Sequence, residues 1–180
     1  MKELLCILAI SLCTLSSYAQ RDNNQKWYNN GFGFRGEIAS AEAYLAGIDY
    51  EGFFSPSFGI NMMAITDFTV IYEGAILGKF VAPYPNVRSN LRWYCGLGVF
   101  GGYMSANKEI ETSLDKYYFG PVASIGTGYA IPNVPIHIGI EWRPSLKAYY
   151  KNYVLEANRY RLNVKSVVIT IRFITRDKYK

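Results

Sequence analysis

Apolar and polar positions alternate with a period of two over most of the chain, in segments of about ten residues divided by Pro, Gly, Asn and Ser. Such alternation puts successive side chains on opposite faces of a β-strand. Eight strands are predicted. In Phe32–Ala39, Phe32, Phe34 and Ile38 oppose Arg35 and Glu37; in Tyr44–Phe54, Tyr44, Ala46, Ile48, Tyr50 and Phe54 oppose Asp49 and Glu51. Phe58–Thr66 sets Phe58, Ile60, Met62 and Ala64 against Asn61, and Thr69–Phe80 sets Val70, Tyr72, Ile76 and Phe80 against Glu73 and Lys79. In Leu91–Ser105, Leu91, Trp93, Cys95, Leu97 and Val99 oppose Arg92, Gly96 and Gly98. Tyr117–Ala130 leaves open which face is which. In the seventh strand Ile136, Ile138, Ile140 and Trp142 oppose His137, Glu141 and Arg143; in Leu162–Phe173, Val167, Ile169, Ile171 and Phe173 oppose Ser166, Thr170 and Arg172.

The longest stretch without Asp, Glu, Lys or Arg beyond the N-terminal segment is Tyr117–Ile140, and it contains Pro121, Pro132 and Pro135. A membrane-spanning helix there is excluded. The apolar faces alone would also suit the core of a soluble sandwich or a lipocalin-like binder. The second faces favour a barrel, because they are sparse in charge and carry Gly96, Gly98 and Gly139, small enough for a narrow lumen. The predicted fold is all-β, an eight-stranded antiparallel up-and-down transmembrane barrel. Its lumen would hold Glu37, Asp49, Glu51, Glu73 and Glu141 against Arg35, Lys79, Arg92, Arg143 and Arg172, five of each sign. That balance predicts paired charges inside, since each unpaired buried ion costs several kcal/mol. Trp27, Tyr28, Tyr44, Phe80, Trp93, Tyr103, Tyr117, Tyr118, Trp142, Tyr149, Tyr150 and Tyr153 are expected to form girdles near the strand ends.

The N-terminus changes where such a barrel would sit. Met1-Lys2-Glu3, the uncharged run Leu4–Leu15 and the small residues around Ser17-Tyr18-Ala19 read as a signal peptide, residues 1–19, cleaved after Ala19. Residues 20–30 are polar and expected to be a flexible lead-in, the barrel to occupy 31–173, and 174–180 to be a tail. Of the three cysteines, Cys6 and Cys13 leave with the signal, so Cys95 has no intrachain partner. The chain carries a net charge of +5, but its basic residues are scattered rather than clustered, so nucleic acid is not an expected partner. The basic residues of Lys151, Arg159, Arg161 and of the tail, Arg176, Lys178 and Lys180, read as solvated, or as contacts to anionic headgroups.

Several stretches carry a family resemblance: Trp93-Tyr94-Cys95-Gly96-Leu97-Gly98-Val99, the turn Ile131-Pro132-Asn133-Val134-Pro135, Ile140-Glu141-Trp142-Arg143-Pro144, and the closing Val167-Val168-Ile169-Thr170-Ile171-Arg172-Phe173. In these the chain resembles the small outer-membrane β-barrel domain family of OmpX-like, OmpA-membrane-domain-like and opacity-type proteins. The resemblance implies location in a bacterial outer membrane, outer-membrane lipids and the barrel assembly machinery as partners, and both chain ends on the periplasmic side. Connections at Ser55–Ser57, Val81–Asn90 and Pro132–Val134 would then be periplasmic, with Ala106–Asp115 and Lys151–Arg161 outside. Ile174–Lys180, beyond the closing aromatic residue, depart from the family pattern.

Little in the sequence points to chemistry. Gly96-Leu97-Gly98-Val99-Phe100-Gly101 matches G-x-G-x-x-G, but Gly102-Tyr103-Met104 follows instead of a helix, so a dinucleotide cofactor is not expected. His137, the only histidine, shares a face with Glu141; a lipid-modifying hydrolase or acyltransferase would use it with a serine such as Ser124 or Ser166, and the alternative is a lumen histidine paired with a carboxylate. With one histidine and one mature cysteine, a metal site is not expected. The expectation is a non-enzymatic protein without cofactor or metal, its outer loops serving envelope integrity or surface contact; a narrow pore is the remaining alternative.

Overall fold

The alternating segments become ten β-strands in the computed structural model, which describes residues 27–40, 43–84, 90–105, 116–151 and 154–175. They are β1 (Asn30–Ser40), β2 (Ala43–Phe53), β3 (Phe58–Thr66), β4 (Ile71–Pro83), β5 (Leu91–Met104), β6 (Lys116–Ala130), β7 (Ile136–Trp142), β8 (Ser145–Lys151), β9 (Val154–Asn163) and β10 (Val167–Thr175). No helix occurs among the described residues.

Strands β1 to β6 pair antiparallel in chain order. β6 then pairs with β8 from Tyr117↔Tyr150 to Val122↔Ser145, and with β7 from Ile125↔Trp142 to Ala130↔His137. β7 and β8 are therefore two halves of one stave, and β9 and β10 are two halves of the next. The first break falls at Arg143-Pro144, where proline has no N–H to give the ladder. The chain is held across it by Ala123 N–H to Pro144 O, 3.0 Å, and Arg143 N–H to Ser166 O, 3.0 Å. β10 pairs with both β7 and β1, which closes an eight-stave antiparallel up-and-down barrel.

Both ends of the described chain lie at one end of the barrel, beside the turns at Phe54–Ser57 and Pro132–Asn133. In the second turn Val134 N–H reaches Ile131 O at 3.4 Å and Asn133 takes φ 61°, with proline before it, as a type II turn requires. At the far end, the turn between β3 and β4 is organised by Asp67. Its Oδ1 accepts N–H bonds from Thr69, Val70 and Ile71 at 2.8–2.9 Å, while Phe68 stands 75% exposed at φ 63°.

The structure corrects several sequence expectations. The chain is ordered before Gly31: Trp27 and Tyr28 are buried, so they do not belong to a flexible lead-in. The closing stave continues past Phe173, because Gly31 pairs with Ile174 and Asn30 with Thr175, and Ile174 is buried. Most of the expected loop Lys151–Arg161 is strand, forming the β8–β9 hairpin, and Val81–Pro83, assigned to a connection, belong to β4. The signal segment 1–19, the stretch 106–115 and the tail residues 176–180 lie outside the described residues.

Two outcomes are expected. Ile174→Ala should cost about 2–5 kcal/mol, the usual loss for a buried Ile, and Phe173→Ala, whose ring faces outward, markedly less; urea unfolding followed by Trp fluorescence compares them. Partial burial would raise the Asp67 carboxyl, but the N–H groups of Ile71, Thr69 and Val70 outweigh it and hold it below the usual aspartate range. Its contribution to the turn should be complete above the ordinary aspartate value of about 3.9 and disappear as pH falls through the lower folded value. An NMR titration of the Val70 amide shift checks this, and a midpoint at or above the ordinary value would contradict it.

Candidate functional site

The inward positions of the staves meet in a lumen filled with charge. Arg35, Glu37, Asp49, Glu51, Glu73, Lys79, Arg92, Glu141, Arg143 and Arg172 are all buried there, because each shares strand parity with inward neighbours while the apolar residues of its stave turn outward. Each of the five carboxylates meets two cations. Glu37 lies 3.9 Å from Arg35 and 3.0 Å from Arg143, and Glu73 lies 2.5 Å from Arg143 and 3.3 Å from Lys147. Asp49 bonds Arg35 at 3.2 Å and Arg172 at closer range; Glu51 meets Lys79 at 2.6 Å and Arg172 at 3.2 Å. Glu141 bonds Arg35 and stands 3.7 Å from Lys79.

Neutral groups complete the acceptors. Asn61 donates to Asp49 at 2.9 Å, Ser166 to Glu37 at 2.5 Å, Tyr118 to Glu73 at 3.1 Å, and the Tyr28 hydroxyl to Glu51. Lys147, which the alternation pattern did not single out, enters from β8 and places its ammonium 4.5 Å over the Tyr118 ring. Arg92 lies nearer the termini end, 5.9 Å from the Trp27 ring. Unpaired ions in such a setting would each cost several kcal/mol, so sharing of every carboxylate between two cations is what lets the lumen hold them.

Two apolar clusters share the lumen with these charges. At the termini end, Trp27 (6% exposed) and Tyr28 (1%) fold back into the mouth and pack with Phe53, Val81, Tyr94, Ala130 and Ile174. The indole N–H donates to Asn90 O at 3.0 Å. Gly128 makes room for this plug, since a Cβ there would come within 2.3 Å of His137 Nε2 and 2.8 Å of Trp27. At the far end Met63, Ala75, Leu77, Phe100, Tyr118 and Val122 form the second layer. Trp27, Tyr28 and Tyr118 are thus lumen residues and not part of a girdle. Tyr44, Tyr117 and Trp142 face outward, and Phe80 stacks with Phe58 and Trp93 at 5.2 and 5.8 Å on the outer wall. Tyr153 lies outside the described residues.

His137 is wholly buried between this plug and the network. Its Nδ1 is 3.2 Å from Arg172 Nη1, and because guanidinium can only donate, Nδ1 accepts and the ring proton sits on Nε2. The imidazole meets the Trp27 ring edge to face at 4.6 Å. Neither ring nitrogen bonds a serine: Ser166 is committed to Glu37, and Ser124 Oγ lies against Gly96. His137 and Glu141 share a face, as expected, but Glu141 is taken by Arg35 and Lys79. The arrangement neutralises charge and braces staves; among the described residues no three metal-ligating side chains converge. Neither protein-family models nor curated proteins match the chain.

Arg35 serves three carboxylates, Glu37, Asp49 and Glu141. Arg35→Met should therefore destabilise the barrel by about 3–5 kcal/mol, as loss of one buried partner does. Adding Glu141→Gln should restore part of this by removing the stranded charge. Urea midpoints of the two variants decide it, and equal midpoints for Arg35→Met and the unaltered chain would refute the assignment.

Proposed function

We propose that the chain is an integral protein of a bacterial outer membrane, carried there by residues 1–19 as a signal peptide and spanning the bilayer with its strands. The observation that supports this is the polarity of the wall. Outward positions on β1 to β7 and β10 carry Phe32, Phe34, Ile48, Ile60, Leu97 and Ile169 among others, and none of the described outward positions there is charged. Leu97 is 74% exposed, while ten charged side chains are inside. A protein in water would gain by the opposite arrangement, and a contiguous apolar belt of this extent suits hydrocarbon. Staves of nine residues or more also meet the length a tilted transmembrane strand needs.

The same reading makes the chain a member of the small outer-membrane barrel family it resembles, with outer-membrane lipids and the barrel assembly machinery as its partners. Its role is non-enzymatic, in envelope integrity or surface contact through the connections at the far end. The lumen layers that cross the barrel favour this over the narrow pore. A mobility shift between boiled and unboiled samples in detergent gels, with β-rich circular dichroism in micelles and no conductance in planar bilayers, is the expected result. A soluble, detergent-independent monomer would overturn the membrane reading, and steady single-channel conductance would favour the pore.

A further inference from the structure

Closure leaves one long strand edge open. β9 pairs with β8 from Ser145↔Asn163 to Lys151↔Val154, and among the described residues no strand pairs with its other edge. The cause is the height of the wall beside it. β10, the other half of the same stave, pairs with β1 as far as Val167↔Ile38, and β1 ends at Ser40, so β9 extends past the β1–β2 hairpin at the far end. Its ten residues, at about 3.4 Å each, give an edge of about 30 Å. No proline interrupts β9, so its row of N–H and C=O groups is complete along the open side.

Charge selects what can pair with that edge. Lys147 and Arg161 are register partners on β8 and β9, so they share the inner face. Lys147 bonds Glu73 at 3.3 Å, but Glu73 also serves Arg143, and Arg161 stays exposed to water. From Ser145 to Lys165 the sequence holds Lys147, Lys151, Arg159, Arg161 and Lys165 against a single acidic residue, Glu156. A second copy would bring the same excess charge to the same edge and be repelled. An anionic lipid headgroup can answer the cations, but it has no row of amide groups to answer the backbone. An extended peptide rich in Asp and Glu does both. We propose that the open edge of β9 is a docking site for an extended acidic segment of a partner protein, which adds a strand beside β9 and sets a carboxylate against Arg161. Main-chain bonds supply the affinity, and the cations supply the choice of partner.

The full chain in detergent micelles, first checked for the heat-dependent gel shift, is titrated into a fluorescein-labelled peptide of alternating Glu and Thr, and anisotropy is read. Two control peptides carry Lys in place of Glu, or methyl groups on the backbone nitrogens. The acidic peptide should bind the unaltered chain; the Lys peptide, the methylated peptide and an Arg161→Glu variant should each weaken binding at least about tenfold. Arg161→Glu should also bind the Lys peptide better than the unaltered chain does, a gain that a damaged hairpin would not give. No binding of the acidic peptide, or binding unmoved by Arg161→Glu, overturns the proposal. Equal binding of the methylated peptide would show that charge alone is read and would assign the cations to anionic headgroups instead. A dimer that the acidic peptide disperses would give the edge to a second copy, and binding that appears only when residues 106–115 are replaced by a Gly-Ser linker would give it to that segment of the chain; either result overturns the proposal. The gel shift reports on the membrane reading and the anisotropy on the edge, so the two can fail separately.

Discussion

Charge sharing inside the lumen is the constraint on which the fold depends. Arg35 on β1 reaches Glu141 on β7; Arg143, just beyond β7, reaches Glu37 on β1 and Glu73 on β4; Lys79 on β4 stands between Glu51 on β2 and Glu141. The partners from β1 or β4 and from the β7 region are far apart in sequence and meet only when the sheet has curled round. An open sheet would leave carboxylates and guanidinium groups with half their partners and an apolar face without cover. Closure is therefore needed to satisfy the polar groups, quite apart from the strand edges it removes.

Period two made most of this legible. Every inward charge named from the sequence lies inside, because strand parity is a local property and survives errors in strand length. What was not legible depends on the third dimension. Trp27 and Tyr28 lie in a polar stretch without alternation, and only the shape of the mouth, including the absence of a side chain at Gly128, explains why they turn inward. Lys147 follows Pro144, which reads as the end of a strand, yet the ladder resumes one residue after that proline against the first part of β6. The partner of each lumen charge was equally hidden, since composition gives the balance of signs and not the pairing. The G-x-G-x-x-G stretch shows the converse: Gly98 and Gly101 serve opposite faces of one strand, and no phosphate-binding turn is present.

The lumen is layered in a way that divides labour along the barrel axis. Aromatic packing seals the termini end, ion pairs brace the middle, and a smaller apolar cluster lies between Lys79 and the Glu73 pairs with Arg143 and Lys147 toward the far end. His137 joins the first two layers, accepting from Arg172 on one side of its ring and packing on Trp27 at the other. Side-chain contacts alone therefore link the plug at the mouth to the ion pairs.

The pairing of Asn30 with Thr175 has a topological meaning. In a closed antiparallel ring with neighbours joined in order, no stave is first or last in space; only the missing covalent link between β10 and β1 gives the chain a start. Because these ends lie side by side at one mouth, a short linker would complete the circle, and any connection at either end of the barrel becomes an equivalent place to begin. Circular permutation of this barrel is thus a change of punctuation and not of architecture.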